Sequence, residues 1–234
     1  MKISKVVMFV LFVIVLVWIT SWEIMCCILP MLLIHELGHA YAIQQSGWGF
    51  AGLTFIPGLG IMASSKREIK PGWKEFYVAF LGPFAGLVAQ GLLVALYLVW
   101  PQDWLIVACS LSASVNLLNL LPLLPLDGGR MVRSLTSFLS PRFSKSVMVL
   151  GYLGCIYLLM SGVSAIFLLL LGLVGFANLV SGDFEPEDDE VWPWTWSVAA
   201  LMALLYLCVL ILHGWTLALC LDTATRALLK ASLV

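Results

Sequence analysis

The chain has 234 residues, of which 62% are hydrophobic and 11% charged, with a formal net charge of −1. A soluble globular domain is roughly half apolar and about a quarter charged, so this chain cannot cover itself in water and lipid must solvate much of its surface. The near-neutral balance excludes a global attraction to nucleic acid. The six cysteines fall in apolar stretches without a CxxC pair, which argues against a disulfide framework or a thiolate zinc site.

A bilayer core of about 30 Å needs about 20 apolar helical residues. Lys2 and Lys5 precede the first apolar run, 6–22. That start resembles a signal peptide, but no small-residue cleavage site follows, and the run reads as a retained span. Thr20-Ser21-Trp22-Glu23 forms a turn into a second span, 24–43, interrupted only by charged residues around Glu36. The stretch 51–65 is of a different kind. Leu53-Thr54-Phe55-Ile56 and Ile61-Met62-Ala63 flank Pro57-Gly58-Leu59-Gly60, too short to span and broken by turn residues, which predicts a β-hairpin. At membrane depth its backbone is tolerated only when buried in protein or lining a wet cavity.

Further charge-free windows run over 76–102, 104–126, 146–182 and 191–221. Cytoplasmic loops carry an excess of Lys and Arg. If 146–182 crosses once, Lys2 and Lys5, then Lys66, Arg67, Lys70 and Lys74, then Arg130, Arg133, Arg142 and Lys145, and finally Arg226 and Lys230 all face the cytoplasm. A bend at Ser161-Gly162 would give seven spans and export the C-terminus, so six is the preferred reading. The expected fold is an all-α polytopic membrane protein of about six transmembrane helices, with a short membrane-embedded β-hairpin after the second. One domain covers 1–234, with a catalytic core over about 23–135 and accessory C-terminal helices over 146–234.

The second span holds His35-Glu36-Leu37-Gly38-His39. Histidines four apart on a helix project from one face, a turn apart, and can grip one tetrahedral zinc ion while the adjacent glutamate reaches a bound water. Only three histidines exist in the chain, and two make this pair. A glutamate in a membrane helix costs on the order of 2.5–3.5 kcal/mol, which argues against an idle polar cluster. A catalytic zinc site takes a third protein ligand, and Asp127 stands out, in Asn119-Leu120-Leu121-Pro122-Leu123-Leu124-Pro125-Leu126-Asp127-Gly128-Gly129. Two prolines cannot continue helical hydrogen bonding, so this segment is expected to unwind, with Gly128-Gly129 freeing the backbone further. Alone, such an Asp-Gly-Gly would read as a helix-to-loop turn.

Together these motifs resemble the site-2 protease family of intramembrane metalloproteases, over roughly 34–132 and including Gly82-Pro83. The resemblance implies zinc held by His35, His39 and Asp127, Glu36 as catalytic base, and cleavage within or near transmembrane segments of membrane-anchored proteins. It also implies that the hairpin aligns substrate. Asn119 is expected to orient substrate or donate to the oxyanion, and Asn116, one turn earlier, to pack. Many relatives carry Asn shortly after the Gly-Pro, whereas this chain reads Phe84-Ala85-Gly86. No PDZ domain fits between Gln102 and Trp104 and no regulatory domain follows the last span, so the chain resembles the minimal, PDZ-lacking core. Such a core suits a prokaryotic inner membrane, with its site towards the cytoplasm and an inhibitory membrane partner as a candidate regulator.

Two rivals stand beside this reading. A metalloprotease of another class would need a glutamate as third ligand, and neither Glu68, Glu75 nor the acidic stretch 183–190 fits. A non-catalytic membrane scaffold or metal carrier would not need Glu36 beside its first ligand. His213 is expected to hydrogen-bond between helices, Asn178 and Glu23 to mark interfaces or boundaries, and Trp192, Trp194 and Trp196 to form an interfacial belt. The acidic loop reads as a solvated connector.

Overall fold

The computed structural model describes residues 4–56, 60–159 and 195–232, together with 175, 177, 180 and 184. Lys2, Pro57-Gly58-Leu59, most of 160–182 including Asn178, the 183–190 loop apart from Phe184, Trp192, Trp194 and the side chains of Arg226 and Lys230 lie outside the described residues.

In chain order the elements are α1 (Lys5–Ile19), α2 (Trp22–Gln45), β1 (Phe50–Ile56), β2 (Gly60–Ser65), α3 (Trp73–Val99), α4 (Asp103–Asn119), α5 (Asp127–Ser137), α6 (Pro141–Leu159) and α7 (Trp196–Ser232). Among the described residues, α2, α3 and the Trp196–Thr225 part of α7 are long and apolar enough to cross a bilayer. Helices α1 and α4, expected as full spans, have 15 and 17 residues. The fourth window, expected to run to 126, ends as helix at Asn119 because Pro122 and Pro125 unwind the chain beyond it. Of the basic residues after it, Arg130 and Arg133 sit on the separate helix α5.

The chain forms two compact units: residues 1–67, 81–117 and 209–234 in one, residues 68–80 and 118–208 in the other. In the first unit, Ser21 caps α2 by accepting from Ile24 N–H. The helix ends in a Schellman arrangement, with Trp48 N–H donating to Ile43 O, Gly47 N–H donating to Gln44 O, and Gly47 at φ +77°. That sharp exit turns the chain directly into the hairpin. Strands β1 and β2 pair antiparallel, Leu53 opposite Ala63 and Ile56 opposite Gly60, as the sequence predicts. An irregularity at Phe50/Gly52 places Gly52 at φ +126°, a conformation only glycine adopts readily. Helix α1 covers the hairpin through Phe9 and Phe12, whose rings lie 4.9 and 5.9 Å from that of Phe55. Elsewhere in this unit, Ile106, Val107 and Cys109 of α4 pack on Cys220 and Ala224 of α7. Cys109 and Cys220 meet there as unbridged thiols, in keeping with cysteine as an apolar filler.

In the second unit, Leu123, Leu124, Met148, Tyr152 and Phe184 make the core around the unwound segment 120–126. Backbone exposed by unwinding must find partners at membrane depth, and two tyrosines provide them. Tyr152 Oη–H donates to Leu124 O at 2.5 Å and Tyr206 Oη–H to Leu120 O at 2.7 Å.

Candidate metal centre

Because a helix repeats every 3.6 residues, α2 brings His35 and His39 to one face, where both are buried with Glu36 between them. The two Nε2 atoms face each other 3.0 Å apart. Two Zn–N bonds of about 2.05 Å at a tetrahedral angle separate their nitrogens by about 3.3–3.4 Å, so the pair fits one such ion with a shift of a few tenths of an ångström. His35 Nδ1 lies 2.9 Å from Asn116 Oδ1. An amide oxygen only accepts, so Nδ1 carries the proton and the Nε2 lone pair is left for a metal.

The packing of α3 on this face depends on glycine. A Cβ at Gly82 would lie 2.3 Å from Cε1 and Nε2 of His39, and one on Gly38 would lie 2.3 Å from Leu81 O. Gly86, one turn on, yields its space to the Asn116 amide: a Cβ there would meet Nδ2 at 2.5 Å. The volume beside the Gly-Pro of α3 is thus filled by an Asn from α4. Sequence reasoning assigned Asn116 to packing, and the structure instead makes it the partner of a candidate zinc ligand.

Glu36 binds the hairpin. Ala63 N–H donates to Glu36 Oε2 at 2.7 Å, while Oε1 lies 4.0 Å from His35 Nε2. That N–H therefore points out of the ladder towards α2, so the outer edge of β2 faces the His-Glu-His face. The hairpin is placed where it can present backbone groups to whatever occupies the site.

Asp127 belongs to the second unit. It is the first residue of α5 and is buried, with Arg130 Nη1 3.8 Å from its Oδ1. The glycines after it do not loosen the backbone as expected but let it pack closely. A Cβ on Gly128 would lie 2.1 Å from Leu120 O, and one on Gly129 2.3 Å from the Leu123 carbonyl carbon. Helix α5 can start directly against the loop that precedes it only because neither residue has a side chain. Asn119, also in this unit, ends α4 and is half-buried.

Sequence reasoning missed Glu75. It was set aside as a third metal ligand and given no other role, yet it lies in the first turn of α3 with 0% exposure. Arg133 grips its carboxylate with Nε and Nη2, Ser134 Oγ–H donates at 2.6 Å, and Arg130 Nε lies 3.6 Å away. A buried carboxylate persists only when paired and hydrogen-bonded. This one clamps α5, and with it the helix turn that carries Asp127, onto the start of α3. The signal was available in principle, since an acid opening an apolar helix needs a cation, but nothing in one sequence says that it lies 58 positions away.

His213 bonds between helices as expected, its Nε2 3.0 Å from Pro83 O and its Nδ1 3.1 Å from Gln90 Oε1.

With this geometry in hand, comparison with known proteins gives a consistent result. Residues 99–161 match the model of peptidase family M50, a stretch that contains Asp127 and its flanking glycines. The chain is 31% identical over 108 residues to stage IV sporulation protein FB of Bacillus subtilis, covering 45% of this chain and 38% of that protein. It is 36% identical over 124 residues to Rip3 of Mycobacterium tuberculosis, provisionally named a zinc metalloprotease, covering 46% of this chain and 29% of the relative. A protein of Synechocystis, also named only provisionally as a zinc metalloprotease, is 28% identical over 143 residues, 58% of this chain and 37% of its own length. The chain thus spans between 29% and 38% of the length of these curated relatives.

Proposed function

From a chain whose likeness to the M50 family of site-2 proteases rests on both the family match and these relatives, we propose an intramembrane zinc metalloprotease. It would hydrolyse peptide bonds within or beside transmembrane segments of membrane-anchored substrate proteins. The observation that carries this reading is the buried His35-Glu36-His39 face with the hairpin edge bound to Glu36 through Ala63 N–H.

The donor set His35, His39 and Asp127 suits zinc, two neutral imidazoles and a carboxylate with one position left for solvent. Bound zinc supplies an activated water nucleophile and a Lewis acid for the scissile carbonyl. The chain's own residues do the rest. Glu36 accepts the proton of the attacking water at Oε1, the oxygen turned towards His35, and delivers it to the leaving amine. Its Oε2 is held by Ala63, which fixes the carboxylate for that transfer. Asn119 donates to the oxyanion or orients the substrate. Substrate enters extended and adds a strand to the hairpin, a mode that reads backbone first and side chains second.

The chain crosses the bilayer six times in this reading. Helices α2, α3 and α7 make full crossings, α1 a short one, α4 a crossing completed by the unwound segment, and the stretch 146–182 another. The basic clusters then lie on the cytoplasmic face of a prokaryotic inner membrane, with the metal centre towards that side. A membrane partner occupying the hairpin edge would hold the enzyme in check.

The test is cleavage of a membrane-tethered reporter by purified protein in liposomes, wild type against Glu36→Gln, with zinc content measured on both. Loss of cleavage with zinc retained supports the assignment. Equal cleavage by the two, or none by a zinc-loaded wild type across reporters with extended and helical juxtamembrane segments, removes it.

A further inference from the structure

Five polar side chains in the first unit, His35, Asn116, Ser112, Gln90 and His213, are each no more than 2% exposed. They form one unbroken line across four helices. Asn116 Oδ1 meets His35 Nδ1 at 2.9 Å, and its Nδ2 meets Ser112 O at 2.8 Å and Ser112 Oγ at 3.4 Å. Ser112 Oγ lies 3.1 Å from the Gln90 amide, which meets His213 Nδ1 at 3.1 Å, and His213 Nε2 ends the line on Pro83 O at 3.0 Å.

The two carbonyls in this line fix its direction. Ser112 O can only accept, so Asn116 must turn its NH2 towards it and its oxygen towards His35. His35 Nδ1 must then donate, and its other nitrogen is a lone pair aimed at His39. At the far end Pro83 O can only accept, so His213 Nε2 donates and the Nδ1 of a neutral ring accepts. As placed, Gln90 turns Oε1 to His213 and Nε2 to Ser112. Exchanging these two nearly isosteric atoms lets Gln90 donate to Nδ1 and accept from Ser112 Oγ–H. Each bond in the line then joins a donor to an acceptor, and all of them run one way, an arrangement in which neighbours polarise one another.

We propose that His213, Gln90, Ser112 and Asn116 are positioning residues for the metal centre, holding His35 as its Nδ1–H tautomer with Nε2 presented to zinc. The C-terminal helix α7 thereby takes part in the chemistry of a site built on α2. This inference rests on the zinc reading above. A ligating histidine commonly donates its second N–H to an oxygen acceptor, and removing that acceptor weakens metal binding about 10–100-fold. Here that acceptor is in turn held by three further side chains and a backbone carbonyl on α3.

The experiment uses the full chain in nanodiscs, with 15N-labelled histidine and a competing chelator. In the metal-free wild type, the His35 ring nitrogens are expected to show a single Nδ1–H tautomer. In Asn116→Leu they are expected to show a tautomer mixture, with zinc bound about 10–100-fold more weakly. Asn116→Asp, which restores an acceptor to Nδ1–H, should recover most of that loss, whereas a role in helix packing alone would not distinguish Leu from Asp in this way. His213→Phe should weaken zinc less, and its effect should not add to that of Asn116→Leu, because members of one network couple. Should Asn116→Leu fail to fold, Asn116→Ala takes its place on the same readouts. A folded variant with the wild-type tautomer and wild-type zinc affinity overturns the proposal, and additive effects remove His213 from it. A wild type that binds no zinc sinks the protease reading instead, while the tautomer of the metal-free protein still decides on the line of hydrogen bonds.

Discussion

Gly82→Ala adds one methyl group in a place where the structure has no room for it. The new Cβ would sit 2.3 Å from both Cε1 and Nε2 of His39, more than 1 Å inside the ~3.5 Å at which such atoms rest. The contact is with the ring edge that carries Nε2, the nitrogen that faces His35. Either α3 moves off α2, where Gly38 already lies against Leu81 O, or the imidazole swings away. Overpacking of this size costs about 1–3 kcal/mol in the metal-free fold. The larger effect falls on the site, because a misplacement of about 1 Å can cost about 10²-fold in rate. Zinc competition in detergent and reporter cleavage in liposomes would measure it, with about 10-fold or more lost from zinc affinity and about 10²-fold from kcat. Gly91→Ala on the same helix is the control: nothing lies within 4 Å of its Cβ, and replacing a helical glycine there should stabilise by up to about 1 kcal/mol. A Gly82→Ala protein with wild-type zinc affinity and turnover would refute the packing argument.

Three other perturbations probe the remaining supports. Glu75→Ala leaves the partly buried Arg133 without its carboxylate, a change worth up to about 3 kcal/mol, so the thermal midpoint should fall by about 5–10 °C; the double variant with Arg133→Met should regain part of it, and an unchanged midpoint in the single variant would contradict the clamp. Ala63→Pro removes the N–H that binds Glu36 without breaking the ladder, since that N–H points outward. Cleavage should drop about 10-fold, as expected for one hydrogen bond to a charged group, with wild-type cleavage counting against a role for the hairpin edge. Asp127→Asn should strip zinc from the purified protein, and full occupancy by metal analysis would reject the third ligand.

The features legible in the sequence were those fixed over short range. His35 and His39 share a face because four residues make about one helical turn, and the hairpin follows from turn residues between two short apolar runs. The unwinding after Asn119 follows from Pro122 and Pro125, whose effect is local. The rest is set by partners distant in the chain. Asn116 and Asn119 look alike in sequence, one turn apart on the same helix, and only the docking of α4 beside Gly86 decides which amide reaches His35. Glu75 and Arg133 give no sign of each other in the sequence, since their meeting depends on how α5 packs. Gly128 and Gly129 were read for their conformational freedom, whereas their role is close contact with Leu120 and Leu123. That distinction depends on the facing surface and not on the residues themselves.

The glycines of α3 then account for how polar groups from two other helices reach one face of it. Gly82 and Gly86 are four apart, so they lie on one face, and each gives up the volume of a side chain to a polar group from another helix: His39 from α2 and Asn116 from α4. An Asn on α3 just after the Gly-Pro would compete with the Asn116 amide for space that holds only one of them. The absence of that Asn is therefore a condition for Asn116 to reach His35. Once Asn116 is in place with its oxygen turned to His35, its NH2 needs an acceptor, which Ser112 O provides. Ser112 Oγ in turn needs a partner in an apolar helix bundle, which leads to Gln90 and then His213. A buried polar group in a bilayer must be satisfied by another, so a glycine at one position on α3 leads to polar residues as far along the chain as α7.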